Sequence, residues 1–274
     1  MEFADYLTLI AVIWLGGLIL FGAWLLKTSL GRKALADSVP RRNNMPFYLP
    51  FIPFSMWLGG ASLAILITRK ILPDLPGWQS AFVDNLALCI IAIGTMAVII
   101  FLARASFARR LNGFGLNAKT IVKDFFAGAV NLCAVWPIVI AMIILTTSLG
   151  KLIWKQDFEM QQHEELKLIT AHPQLPLRIL IIVLAVVIAP ILEEMLFRGL
   201  FQTIIRPFFA KPWLSVVISS GLFAAFHQPG HWPALFALGM CLGYAYEKSG
   251  SLLRPIFIHS LFNAITIIAV LYSV

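Results

Sequence analysis

Long apolar segments alternate with short polar, mostly basic segments along the whole chain of 274 residues. About 20 consecutive apolar residues are enough for an α-helix to cross the hydrocarbon core of a bilayer. Eight segments meet or approach that length, and they lie at residues 5–26, 47–68, 82–103, 125–149, 177–200, 212–227, 232–247 and 253–273. The pattern therefore predicts an all-α fold, a polytopic membrane helix bundle with about eight transmembrane helices. The sixth and seventh segments are short, and we expect them to be tilted or buried inside the bundle.

The composition supports this prediction. Hydrophobic residues make up 60% of the chain and charged residues only 12%, about half the charged share of a soluble globular protein. The weak alternation of a transmembrane β-barrel is absent from the sequence. We expect an integral membrane protein with the lipid bilayer as its partner, located in the plasma membrane if the source is bacterial.

The distribution of basic residues predicts the orientation. The chain has 21 Lys and Arg against 13 Asp and Glu, a net charge of +8. Of the 21, 15 lie in or next to the first, third, fifth and seventh connections, and six lie on the other side. Because cytoplasmic loops carry the excess of Lys and Arg, both termini are predicted to lie outside. Topology accounts for the positive charge, so we expect no nucleic-acid partner.

Ionisable residues divide the chain near Pro173–Pro176. The spans before this point contain almost none, and the spans after it contain a cluster. We therefore predict N-terminal transmembrane helices at 1–175 and a functional core at 176–274. The connection at about 150–176 is the longest, and it is predicted to be a solvated amphipathic loop, with a lid over a site as the alternative.

Glu193 and Glu194 follow a long apolar run, where each carboxylate costs roughly 2.5–3.5 kcal/mol to insert. Arg198 lies four residues after Glu194, so on a helix the two share a face and can form an ion pair. Glu193 is rotated by about 100° from Glu194, and it is the candidate general base. Pro190, one turn earlier, favours a kink that would open space near Glu193. A purely structural ion pair remains the alternative.

Two further polar patterns follow on later helices. Phe223 and His227 end the sixth span, and His259 and Asn263 project from one face of the last span. Taken alone, His227 is explained as a structural or interfacial histidine, and His259 with Asn263 as an interhelical hydrogen-bonded pair. Together with the Glu pair, they place polar groups on three helices of an apolar bundle, which is the usual description of a binding or catalytic site.

The motifs EExxxR, FxxxH and HxxxN, in this order on successive helices, resemble the CAAX prenyl endopeptidase family of the Rce1 type, also called the CPBP or Abi group of intramembrane proteases. The resemblance covers about residues 178–270. It implies an intramembrane endopeptidase in which Glu193 activates water and His227 assists. It also implies that His259 and Asn263 stabilise the oxyanion, with Glu194 and Arg198 in support. The implied substrate is a peptide or membrane protein, prenylated where the host makes such proteins.

Several alternatives stay open. We favour a mechanism without metal or other cofactor, although Glu193, His227 and His259 would also make a zinc site with an open position. The main alternative function is a non-catalytic membrane scaffold or bacteriocin-immunity protein with the same fold. A transporter or proton channel would favour polar residues in both halves or an inverted repeat, and neither is seen. Lipid-modifying acyl transfer could use the same polar groups.

Overall fold

The computed structural model describes residues 3–154 and 163–273, and this part of the chain is α-helical without any strand. Each of the eight predicted segments coincides with a helix. These helices are α1 (Phe3–Lys27), α2 (Phe51–Ile71), α3 (Gly77–Ser106), α5 (Ile121–Trp154), a long helix at Leu175–Phe208, α10 (Pro212–Ala225), α11 (Trp232–Ser249) and α12 (Leu253–Ser273). Short helices α4 (Arg110–Phe114) and α6 (Glu164–Ala171) lie between them. The predicted all-α class is confirmed.

Five helices in the described ranges are long and apolar enough to cross a membrane. They are Phe51–Ile71, Gly77–Ser106, Ala118–Ile153, Leu175–Phe208 and Leu253–Tyr272. The apolar part of α1, Ala11–Lys27, and helix α10 are shorter. With 14 residues, α10 rises only about 21 Å, less than the roughly 30 Å of a hydrocarbon core. The count of about eight transmembrane helices therefore stays a prediction.

Proline and glycine residues define the helix ends of the C-terminal part. Pro176, Pro212 and Pro233 each lie in the first turn of a helix, where the missing backbone N–H costs no hydrogen bond. Gly250 ends α11 with φ of 71°, in the left-handed region. Glycine adopts this conformation without a steric penalty, so the chain can leave α11 and begin α12.

Contacts divide the chain into two compact units. The first comprises Met1–Pro40, Ala118–Gln161 and Ile205–Ile258. In it, α11 packs against α10 and α5, and α1 packs against α5. The close approach of α1 and α5 depends on Gly17, because a Cβ atom there would meet the Cys133 carbonyl and the Pro137 ring.

The second unit comprises Arg41–Asn117, Gln162–Ile204 and His259–Val274. Its helix α3 packs against α2 and against the long helix, whose α-helical parts are α7 (Leu175–Val183), α8 (Ala189–Glu194) and α9 (Thr203–Ile205). A buried apolar cluster joins α6, α7 and α12, and its members are Leu166, Ile169, Leu177, Ile181 and Ile267.

The predicted loop at 150–176 is therefore partly helical and partly buried. Helix α6 is amphipathic as predicted, but Leu166 and Ile169 are packed into the cluster instead of being solvated. Their spacing of three residues puts both on one helix face. Residues 155–162 of this connection lie outside the described residues. The predicted division of the chain into N-terminal helices at 1–175 and a functional core at 176–274 stays a prediction.

Candidate active site

The two glutamates lie at the end of α8, between two π-helical turns of the long helix. Leu184–Ile188 precede α8, and Met195–Gln202 follow it. Pro190 lies in the first turn of α8. Proline has no backbone N–H, so it donates no hydrogen bond to the preceding turn. π-Helical turns thus flank the glutamates on both sides, and the kink that Pro190 favours stays a prediction. Such turns are rare and occur frequently at functional sites.

Glu194 and Arg198 form the predicted ion pair. Arg198 Nη1 donates a hydrogen bond to Glu194 Oε1 at 2.8 Å, and both side chains are fully buried. A buried charge without a counter-charge is strongly destabilising, so each of these two side chains makes the burial of the other possible.

The same carboxylate oxygen also contacts His259 of α12. His259 Nδ1 lies 2.9 Å from Glu194 Oε1, and the His259 side chain is 5% exposed. Glu194 is the ion-pair partner of Arg198, and an ionised carboxylate can only accept a hydrogen bond. The proton of the ring is therefore assigned to Nδ1, and Nε2 carries the lone pair in the neutral ring.

Glu193 lies on the other side of this imidazole ring. Its Oε2 is 3.9 Å from His259 Nε2, and its side chain is 12% exposed. The distance is too long for a direct hydrogen bond, and it matches two groups that share one water molecule. Glu194 thus orients the ring, and the ring presents Nε2 towards Glu193.

Asn263 lies one turn after His259 and contacts the long helix. Its Nδ2 donates a hydrogen bond to the Ala185 carbonyl at 2.8 Å. Ala185 belongs to the first π-helical turn. This bond connects α12 to the long helix about two turns before the carboxylates, and the amide has a second N–H on the same nitrogen.

His227 belongs to the first unit and is described there. It follows the end of α10, is half-buried, and has its Nδ1 2.8 Å from the Phe223 carbonyl. Its own carbonyl accepts a hydrogen bond from Trp232 Nε1 at 2.8 Å. The Phe223 carbonyl can only accept, so Nδ1 carries the proton and Nε2 is the basic nitrogen of the neutral ring.

Five of the six predicted site residues are brought together in the second unit, namely Glu193, Glu194, Arg198, His259 and Asn263. The contact between Glu194 and His259 was not predicted, and neither was the bond from Asn263 to a backbone carbonyl. The spacing of residues along one helix predicts neither contact. His259, for example, lies 65 positions after Glu194.

The zinc alternative requires Glu193, His227 and His259 to share one ion. Across residues 3–154 and 163–273, no group of three or more His, Cys, Asp or Glu side chains is placed to hold a metal ion. A catalytic zinc ion takes three protein ligands. One nitrogen of His259 is occupied by Glu194, and Glu193 faces the other. A mechanism without metal stays a prediction.

Comparison with known families gives a match over the C-terminal part of the chain. Residues 175–265 match the family model of the type II CAAX prenyl endopeptidase Rce1-like proteins. These residues resemble that family, and we refer to residues 175–265 as the Rce1-like segment. The resemblance drawn from the three motifs is thereby confirmed, and all six predicted site residues lie within the Rce1-like segment.

The chain also matches a curated protein. An uncharacterized 24.3 kDa protein of Escherichia coli is 33% identical over 94 residues, which cover 32% of this chain and 43% of that protein. The match thus spans less than half of the relative. No solved structure matches the chain. The five long apolar helices indicate an integral membrane protein, and its residues 175–265 resemble a protease family.

Proposed function

We propose that the chain is an intramembrane endopeptidase in which Glu193 activates a water molecule. One arrangement carries the proposal. Glu194 is paired with Arg198 and bonded to His259 Nδ1, so His259 turns its Nε2 towards Glu193 Oε2 at 3.9 Å. A base and an oriented imidazole on two helices are the parts that acyl hydrolysis requires.

In the first step, Glu193 takes a proton from water, and the resulting hydroxide attacks the carbonyl carbon of the peptide bond. A C–O bond forms, and the π electrons of the carbonyl move to its oxygen. The Glu193 side chain is largely buried, so few other water molecules compete for the carboxylate. General-base assistance of this kind contributes typically 10²–10⁴-fold.

The developing oxyanion needs hydrogen-bond donors, and we assign Asn263 and His259 to this role. One N–H of Asn263 is bonded to the Ala185 carbonyl, which holds the amide so that its second N–H can donate to the oxyanion. His259 donates from Nε2 when the ring carries both protons. Each such donor contributes about 10²–10³-fold.

In the second step, the oxyanion re-forms the carbonyl and the C–N bond breaks. The proton held by Glu193 moves to the departing nitrogen, so that an amine and a carboxylic acid leave and Glu193 is regenerated. Atoms and charges balance without a metal or other cofactor. His227 assists the proton transfer in this proposal, as the resemblance implies.

The proposed substrate is a peptide or a membrane protein cut near the bilayer. The Rce1-like segment favours a prenylated C-terminal region in hosts that make prenylated proteins. In other hosts, the proposal is an unmodified membrane protein or peptide.

Comparative mass spectrometry of membranes tests this function. Cells that carry wild-type protein, Glu193→Gln or the control Glu165→Gln, a carboxylate on α6, are compared for new N-termini. We expect at least one uncleaved protein to accumulate in Glu193→Gln alone. Identical N-termini in all three would contradict the proposal and favour a non-catalytic membrane scaffold.

A further inference from the structure

Three arginines line one pocket at the end of α3. The pocket has a volume of about 750 Å³, and its wall is formed by Phe101, Arg104, Ala105, Arg109, Arg110, Leu111 and Asn112. No acidic residue is part of this wall, and the sequence has no Asp or Glu between Asp84 and Asp124. The pocket therefore combines positive charge with an apolar side formed by Phe101 and Leu111.

Within the described part of the chain, none of the three arginines, Arg104, Arg109 and Arg110, forms an ion pair with a carboxylate. Three other arginines each form an ion pair with one carboxylate: Arg198 with Glu194, Arg206 with Glu247 and Arg254 with Asp124. Three exposed guanidinium groups around one cavity repel each other, and an anion between them relieves that repulsion.

The backbone around the pocket is held in place. The Ala108 N–H donates to the Arg42 carbonyl, and the Arg41 guanidinium donates to the Gly113 carbonyl. Arg110 has φ of 50°, which costs energy for a residue other than glycine and persists only where neighbouring structure imposes it. The backbone that carries the side chains of Arg109 and Arg110 is therefore held in a fixed conformation.

The position along α3 indicates the chemistry of the ligand. Gly77–Ser106 is one of the candidate membrane spans, and Arg104 lies in its last turn. Phe101, one turn earlier, is 70% exposed, as expected for a side chain that faces lipid tails. The pocket thus begins at the depth of acyl chains and ends at the depth of lipid headgroups.

We propose that Arg104, Arg109 and Arg110 bind the phosphate group of an anionic phospholipid, with Phe101 against the first part of its acyl chain. Arginine suits this ligand because its planar group binds two phosphate oxygens at once. Free inorganic phosphate shares the chemistry but lacks the chain that would contact Phe101. The site is independent of the proposed hydrolysis.

The test uses purified full-length protein in neutral detergent and native mass spectrometry. Short-chain phosphatidylglycerol, phosphatidylcholine and inorganic phosphate are titrated separately. The test variant is Arg104→Gln/Arg109→Gln/Arg110→Asn, in which asparagine suits the left-handed backbone at position 110. The control Arg32→Gln/Lys33→Gln/Lys211→Gln removes the same charge from exposed positions elsewhere. Thermal unfolding verifies that each variant is folded.

We expect phosphatidylglycerol to bind the wild type at least about tenfold more tightly than phosphatidylcholine does. Each basic residue near an anionic lipid contributes a factor of about five to the affinity. The test variant loses at least about tenfold, and the control changes less than about twofold. If the triple variant does not fold, Arg109→Gln alone is expected to lose about fivefold. Equal losses in test variant and control would overturn the site. Phosphate binding as tight as phosphatidylglycerol binding would overturn the lipid assignment.

Discussion

The imidazole of His259 contacts the carboxylate of Glu194 at 2.9 Å, although the two residues lie 65 positions apart. Glu194 also accepts from Arg198 through the same oxygen. One buried carboxylate therefore stabilises a cation on its own helix and orients a ring on α12. This contact gives Glu194 a positioning role that its ion pair alone would not.

Replacing Glu194 by glutamine is expected to destabilise the protein strongly. The amide keeps the shape of the side chain but removes the carboxylate that pairs with Arg198, which is fully buried. Breaking a buried ion pair in this way costs about 3–5 kcal/mol in the free energy of unfolding. Denaturant unfolding in detergent would measure the loss.

Two further variants distinguish this effect from a general effect of losing a carboxylate. Glu194→Met/Arg198→Met removes both charges and should lower stability less than Glu194→Gln does. Glu164→Gln removes an exposed partner of Lys167 and should cost less than about 1 kcal/mol. A double variant that is as unstable as Glu194→Gln, or more so, would contradict the pairing.

Asn263→Ala should lower cleavage much more than stability. The variant loses the bond to the Ala185 carbonyl, worth about 1 kcal/mol, and the proposed oxyanion donor, worth about 10²–10³ in kcat. Thr266→Ala is the matched control on α12, because its hydroxyl bonds only to the Phe262 carbonyl of the same helix. Similar kcat values for the two variants would argue against the oxyanion role.

Gly199→Ala should destabilise the π-helical part of the long helix. A Cβ atom at this position would meet the ring of Phe114, which is fully buried. Overpacking of this kind costs about 1–3 kcal/mol. At Gly221, a Cβ atom would meet nothing within 4 Å, so Gly221→Ala should be neutral or add up to about 1 kcal/mol. Thermal unfolding compares the two variants, and equal shifts would refute the packing argument.

Metal removal is expected to leave activity unchanged. Purified protein treated with a chelator should cleave its substrate at the untreated rate, and elemental analysis should find far less than one zinc per chain. One bound zinc per chain, with activity lost on its removal and restored by zinc, would overturn the mechanism without metal.

The predicted orientation can be tested with reporter fusions and cysteine labelling. Both termini should lie outside, and a cysteine introduced in place of exposed Arg32 should react only after the membrane is made permeable. Phe223, which is fully buried, is the negative control because a cysteine at that position should stay unreactive. Labelling of the Arg32 position in intact cells would reverse the topology.

Much of the fold was predictable because membrane helices are local features of a sequence. Each apolar segment satisfies its own backbone hydrogen bonds, and all eight predicted segments lie on helices. The pair of Glu194 and Arg198 was predictable for the same reason, since a spacing of four residues fixes their relative position on a helix.

Other parts of the site could not be predicted, because they depend on how helices pack. The contact of Glu194 with His259 joins distant positions, and Asn263 bonds to a backbone carbonyl, which every residue has. Burial of Leu166 and Ile169 against α7 and α12 had a partial signal in their spacing. Nothing in the sequence indicated which helices these two residues would pack against.

The rate of cleavage by Glu193→Gln tests the central claim most directly. Wild-type protein, Glu193→Gln and Glu165→Gln are purified, verified to be folded by thermal unfolding, and given the substrate that accumulates in Glu193→Gln cells. The account predicts that Glu193→Gln lowers kcat by about 10²–10⁴ while Glu165→Gln remains within about twofold of wild type. Unchanged kcat in folded Glu193→Gln would contradict the assignment of Glu193 as the base that activates water.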